Sequence, residues 1–153
     1  MRSSGKAGAS RRLVLDASVA VSWCFEDQGT AYTEWVLDRM AEGAEAVVPP
    51  LWSFETANAL LQAERRRRLT TAQATVFLEQ LESFNIVVDP APLSRVFSRV
   101  FSEARQWNLT VYDAAYLELA LHLGLPLATR DEDLRRAAKE LGIRIAHSGA
   151  SGR

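Results

Sequence analysis

Residues 12–25 read RLVLDASVAVSWCF, and this stretch decides how the rest of the chain is parsed. The aliphatic run at 13–15 predicts a short buried strand ending on Asp16, and residues 17–25 read as helical or turn-like. The same succession recurs downstream. A helix is predicted over 30–42 and a strand over 46–48, closed by Pro49 and Pro50. Pro50 suits the first turn of a helix running to about Arg67. Thr70 is placed to cap the next helix, which carries Phe77, Leu81 and Phe84 at helical spacing. A strand at 86–88 is broken by Asp89 and Pro90, after which Leu93, Val96, Phe97, Val100, Phe101 and Ala104 form a long apolar stripe. A helix at 111–123, a strand at 126–129, a helix at 131–141 and a last strand at 143–146 complete the pattern. Short strands alternating with helices imply an α/β fold whose parallel sheet is covered on both faces.

The 153 residues are 48% hydrophobic and 24% charged, which fits one domain around one core. That domain is expected over 12–146, with flexible ends at 1–11 and 147–153. A formal net charge of −1 lacks the global positive field of a strongly basic nucleic-acid binder. Its distribution says more: Arg65, Arg66, Arg67 and Arg68 form an unbroken basic run, either an RNA contact or a solvated helix end. Cys24 is the only cysteine, so no intramolecular disulfide or cysteine zinc site is available, which fits a reducing, cytoplasmic compartment. Asp16 interrupts the apolar stretch after the basic start, so a signal peptide is not expected. No apolar segment approaches the ~20 residues that span a bilayer.

In open parallel sheets ligands bind beyond the carboxyl ends of the strands. Asp16 and Asp131 stand at two such places, although each has a plain alternative role as a helix cap, with Thr129 a rival cap at the second. Asp113 shares a helical face with Tyr116, Leu117, Ala120 and Leu121, the side expected to point inward, while Thr110 permits a capping box instead. Glu55 shares a face with Asn58 and Gln62, and Phe54, Ala57, Leu60 and Leu61 occupy another. Taken alone, Glu55 fits a solvated face as well as a cleft. Taken together, four acids expected at one sheet edge repel one another unless a cation neutralises them. Carboxylate oxygens suit Mg²⁺ or Mn²⁺, and no His or Cys grouping offers a zinc alternative.

Four segments in order, VLDASVAVSW (14–23), PPLWSFETANALL (49–61), LTVYDAAYLELALHLGLPLAT (109–129) and TRDEDLRRAAKELGI (129–143), resemble the PIN-domain nucleases. The resemblance is closest to the VapC-like toxins of type II toxin–antitoxin pairs and spans about 13–145. It implies a three-layer α/β/α sandwich with a mainly parallel sheet. It also implies a metal-dependent endoribonuclease with Asp16, Glu55, Asp113 and Asp131 as the catalytic, metal-holding acids. Ser18 and Thr129 match the hydroxyl residues beside the first and last acids, and Asn58 matches a supporting position. A homodimer, an RNA substrate such as transfer or ribosomal RNA, and a small VapB-like antitoxin follow from the same likeness. The negative charge of the cluster adds that an Arg of such a partner would enter it.

The implied chemistry is in-line attack by a metal-activated water, leaving a 5′-phosphate and a 3′-hydroxyl. Attack by the 2′-hydroxyl usually needs an acid–base pair such as two histidines, whereas His122 is expected on a helix surface and His147 in the tail. No glycine arrangement fits a dinucleotide fingerprint or P-loop. Trp23, Trp35, Trp52 and Trp107 read as core or dimer-interface residues. Two other readings stay open: a stand-alone RNA-processing PIN nuclease, and a PIN module that binds RNA or protein without cutting. Intact acids favour cleavage.

Overall fold

An aliphatic run without polar alternation has two apolar faces to cover, so it belongs in the middle of a sheet. In a computed structural model that describes residues 11–147, β1 (Arg12–Leu15) takes that position with Leu13, Val14 and Leu15 all buried. It pairs in parallel with β2 (Glu45–Val48), Val14 opposite Val47, and on its other side with β4 (Leu127–Ala128), Val14 opposite Leu127. β3 (Ile86–Val88) lies beyond β2, so the strand order is β3-β2-β1-β4, all parallel. The chain works outward from β1 in one direction and returns for β4 in the other. The crevice where strand order reverses therefore lies between β1 and β4.

The helices are α1 (Ala17–Ser22), α2 (Ala31–Ala41), α3 (Leu51–Arg65), α4 (Thr71–Ser83), α5 (Leu93–Arg95), α6 (Phe101–Trp107), α7 (Val111–Leu123) and α8 (Glu132–Glu140). They cover both faces of the sheet, giving the three-layer α/β/α arrangement. Their starts are set locally. Thr30 and Thr70 form capping boxes with Thr33 and Gln73, Thr110 accepts the Asp113 N–H, and Asp131 accepts the Leu134 N–H. Gly124, at φ 66, ends α7 in a left-handed turn that tips the chain directly into β4. Among the described residues no helix is long and apolar enough to cross a membrane. The flexible ends expected at 1–11 and 147–153 lie outside the described residues, apart from Arg11 and His147.

Several expectations shift. The last strand, expected at 143–146, shrinks to one parallel bridge between Leu127 and Ile145. Ile143 and Ala146 are the buried residues there, three apart, which breaks the two-residue period a strand requires. α3 stops at Arg65 because Arg67 turns left-handed, at φ 58, and its inward face carries Trp52, Thr56, Leu60 and Ala63. Of the apolar face expected on that helix only Leu60 is buried; Phe54, Ala57 and Leu61 are exposed. The stripe after Pro92 is helical but divides: Val100 and Ala104 are buried, whereas Leu93, Phe97 and Phe101 face solvent. A π-helical turn, Val96–Val100, joins α5 to α6 within it. The segment expected to be helical or turn-like at 17–25 is a helix to Ser22 followed by a turn, and a 3₁₀ turn, Glu26–Gln28, lies beyond it.

Candidate active site

Because β1 and β4 are parallel neighbours, the residues that leave their carboxyl ends meet. The Asp16 N–H donates to the Ala128 carbonyl at 2.9 Å, which fixes Asp16 beside Thr129. Asp16 is buried, and its Oδ2 accepts from the Thr129 hydroxyl at 2.7 Å and the Ser18 hydroxyl at 2.9 Å. The Ser18 N–H approaches Oδ1 at 3.4 Å, so Asp16 also caps α1. Thr129 has no exposed surface and uses both sides of its hydroxyl, donating to Asp16 and accepting the Asp131 N–H at 3.0 Å. One hydroxyl thus couples the first and last acids across 113 residues of chain. Asp131 then caps α8, its Oδ1 accepting from Leu134 N at 2.9 Å. The capping roles read from sequence for Asp16 and Asp131 are real and coexist with their place in the cluster.

The other two acids come from facing helices. Asp113 lies in the first turn of α7, half-buried, above the buried Tyr116, Leu117 and Ala120, while Leu121 is exposed. Glu55 lies half-buried on α3, and its Oε1 accepts from the Tyr116 hydroxyl at 2.5 Å. None of the four acids forms an ion pair with a described residue.

The electrostatic consequence is consistent across the cluster. Burial raises the pKa of Asp16 against the hydrogen bonds from Thr129 and Ser18, and the charge of Asp131 adds to the rise. Burial likewise raises Glu55, opposed by Tyr116 and reinforced by Asp16 and Asp113. Burial raises Asp113 too, with Asp131 and Asp16 adding to it and Thr110 opposing it. The acids therefore sense one another as a single field of negative charge.

As placed, no three His, Cys, Asp or Glu side chains among the described residues stand close enough to hold one metal ion. Uncompensated carboxylates repel one another. The donor chemistry fits a hard divalent cation: the cluster offers only carboxylate and hydroxyl oxygens, and its charge is unneutralised. Asp16, Glu55, Asp113 and Asp131 are the residues that would hold it, with Thr129 and Ser18 orienting Asp16.

The remaining candidates divide. Asn58, one turn beyond Glu55, is exposed and forms no hydrogen bond with the four acids. The arginine run sits ten residues along α3 from Glu55, about 15 Å at 1.5 Å per residue. Arg68 is held by Asp27 at 3.2 Å and stacks over Phe25 at 4.8 Å, while Arg65, Arg66 and Arg67 are exposed. Sequence reasoning missed Tyr116 and Arg135 as site residues. Arg135 donates from Nε to the Thr129 carbonyl at 2.9 Å and lies 4.6 Å over the Tyr32 ring, bracing the end of β4 from behind. The available signal was the spacing of three between Asp113 and Tyr116, which puts both on one face of α7.

The PIN-domain family pattern matches residues 13–140, and the chain belongs to the PIN-domain family. Within that family it is VapC-like. It is 30% identical over 123 residues to Ribonuclease VapC3 of Pyrobaculum aerophilum, covering 80% of this chain and 92% of that protein. It is 35% identical over 109 residues to Exonuclease VapC9 of the same organism, covering 71% and 75%. The crystal structure of PAE2754 from Pyrobaculum aerophilum matches with a TM-score of 0.64 at 27% identity, over 85% of this chain and 87% of that one. FitAcB from Neisseria gonorrhoeae matches with a TM-score of 0.60 at 19% identity, over 87% and 95%, a likeness of fold alone.

Proposed function

We propose that this protein is a Mg²⁺- or Mn²⁺-dependent endoribonuclease acting as the toxin of a type II toxin–antitoxin pair. The observation that carries the reading is the convergence of Asp16, Glu55, Asp113 and Asp131 on one edge of the sheet with no cation paired to them. Relatives named ribonuclease and exonuclease support it. A divalent cation bound there supplies the positive charge that a phosphodiester needs and the acidity that makes water a nucleophile. The protein's share is orientation: Thr129 and Ser18 hold Asp16, Tyr116 holds Glu55, and the first turn of α7 presents Asp113. His122 and His147 are both exposed, and neither contacts the acids, so products ending in 5′-phosphate and 3′-hydroxyl fit the site better than cyclic phosphates.

The substrate in this reading is RNA of the transfer or ribosomal kind, met in the cytoplasm. A small VapB-like antitoxin inhibits by inserting an Arg among the acids, where a guanidinium bridges two carboxylates. Homodimer formation is supported by the exposed Leu93, Phe97, Phe101 and Tyr112, apolar side chains that a second copy would cover.

The test is cleavage of a responsive RNA by the purified chain. EDTA is expected to abolish it, Mg²⁺ or Mn²⁺ to restore it, and the fragments to carry 5′-phosphates. Cyclic phosphate ends with chelator-resistant activity would refute the metal-dependent reading. The relative named an exonuclease favours a second reading, exonucleolytic trimming. Cleavage of a circular RNA separates the two, because only an endonuclease opens it.

A further inference from the structure

Tyr116 is a phenol with no solvent exposure, one helical turn after Asp113. A buried hydroxyl must place both its proton and its lone pairs. Its proton goes to Glu55 Oε1 at 2.5 Å. Thr129 does the same for Asp16, its hydroxyl donating to the carboxylate. Tyr116 ties α7, which bears Asp113, to Glu55 on α3, 61 positions apart in the chain.

We propose that Tyr116 is a positioning residue of the acid cluster: its hydroxyl commits Oε1 of Glu55 and leaves Oε2 as the oxygen that meets a divalent cation. The inference rests on the metal-dependent reading above. Without this bond the Glu55 carboxylate, on a half-buried face of α3, is free to rotate toward solvent, and the cation loses a preoriented ligand. Partners that orient a metal's ligands typically contribute 10–100-fold to metal affinity. Tyr116 acts through Glu55 and not on the substrate.

The experiment measures Mn²⁺ binding to the full-length chain by electron paramagnetic resonance of the free ion, at one fixed pH and without RNA. Wild type, Tyr116→Phe, Glu55→Ala and the double variant are compared, with thermal melts in EDTA reporting the fold. Tyr116→Phe is expected to melt as a folded protein and to bind Mn²⁺ at least ~10-fold more weakly. In the Glu55→Ala background it is expected to have no further effect on affinity. A folded Tyr116→Phe that binds as tightly as wild type, or one that weakens binding equally with and without Glu55, overturns the proposal while leaving the metal reading standing. No Mn²⁺ binding by wild type overturns both. Should Tyr116→Phe fail to fold, 3-fluorotyrosine placed in the otherwise native chain gives the answer by ¹⁹F resonance. Mg²⁺ is then expected to shift the Tyr116 signal in wild type and not in Glu55→Ala, and an identical response in the two overturns the proposal.

Discussion

α7 serves two acidic regions that the fold treats in opposite ways. Glu118 is buried and accepts from Arg95 Nε at 3.1 Å, and the same guanidinium pairs with Asp89 at the end of β3. Asp113, five residues earlier and about 140° around the helix, joins three other acids and has no cation. In the first region both carboxylates share one arginine, largely shielded from solvent, and the pairing holds α5 against α7. The second leaves its charge open at the edge of the sheet. The difference shows that this fold supplies a counter-ion where an acid is structural. In the proposed reading, the unneutralised group is the one that meets a bound cation.

The comparison breaks first at Arg95. Arg95→Met leaves Glu118 buried without its partner, which is expected to cost about 3 kcal/mol. Thermal melts should show a midpoint lower by about 6–12 °C for a chain of this size. A midpoint within 1 °C of wild type would make the two acidic regions equivalent and remove the contrast.

The next effect falls on catalysis. Asp113→Asn is expected to keep the fold and lower RNA cleavage by at least ~100-fold, because charge needed at the transition state is lost. Glu118→Gln, on the far side of the same helix, is expected to change stability with little change in the rate of the folded enzyme. Initial rates at saturating Mg²⁺ check both, and a wild-type rate for Asp113→Asn would remove it from the site.

The smallest effect is on stability against pH in EDTA. The folded pKa of Asp113 is raised by burial and by Asp131 and Asp16. The folded chain thus holds that proton more tightly than the unfolded one, and stability falls as pH rises from the ordinary carboxylate range through the raised value. Asp113→Asn removes the repulsion. It is expected to melt about 1–2 °C above wild type at neutral pH, from ~0.5 kcal/mol after discounting for its half-exposure. The gap should narrow as pH falls toward ~4 and close well below it, where Asp113 is protonated in the folded and unfolded chain alike. Saturating Mn²⁺ is expected to reverse the order in favour of wild type, by linkage.

What could be read from sequence alone was what depends on neighbours along the chain. The buried run at 13–15 and the caps at Thr70 and Asp131 are local, and each lies where the residues predict. Asp16, Asp113 and Asp131 were legible as candidates, because two follow strands and the third opens an apolar helix, whereas Glu55 joined them only through the combination of acids and the resemblance. Local patterning was not enough for α3, where apolar residues surround the helix and only packing against the sheet selects Trp52, Thr56 and Leu60 for the interior. The strand expected at 143–146 failed for a similar reason: only the packing at the sheet edge selected Ile143 and Ala146 for burial.

The sequence by itself determined the alternation of strand and helix and the supply of carboxylates, since both follow from backbone periodicity and residue type. Tertiary structure alone decided which hydroxyl meets which acid. Thr129 reaches Asp16, and Tyr116 reaches Glu55, only because parallel pairing sets β1 beside β4 and packing sets α7 against α3. A hydrogen bond between residues 113 or 61 positions apart has no period to announce it. It forms because burial leaves each hydroxyl a single satisfactory acceptor, and burial is a property of the assembled fold.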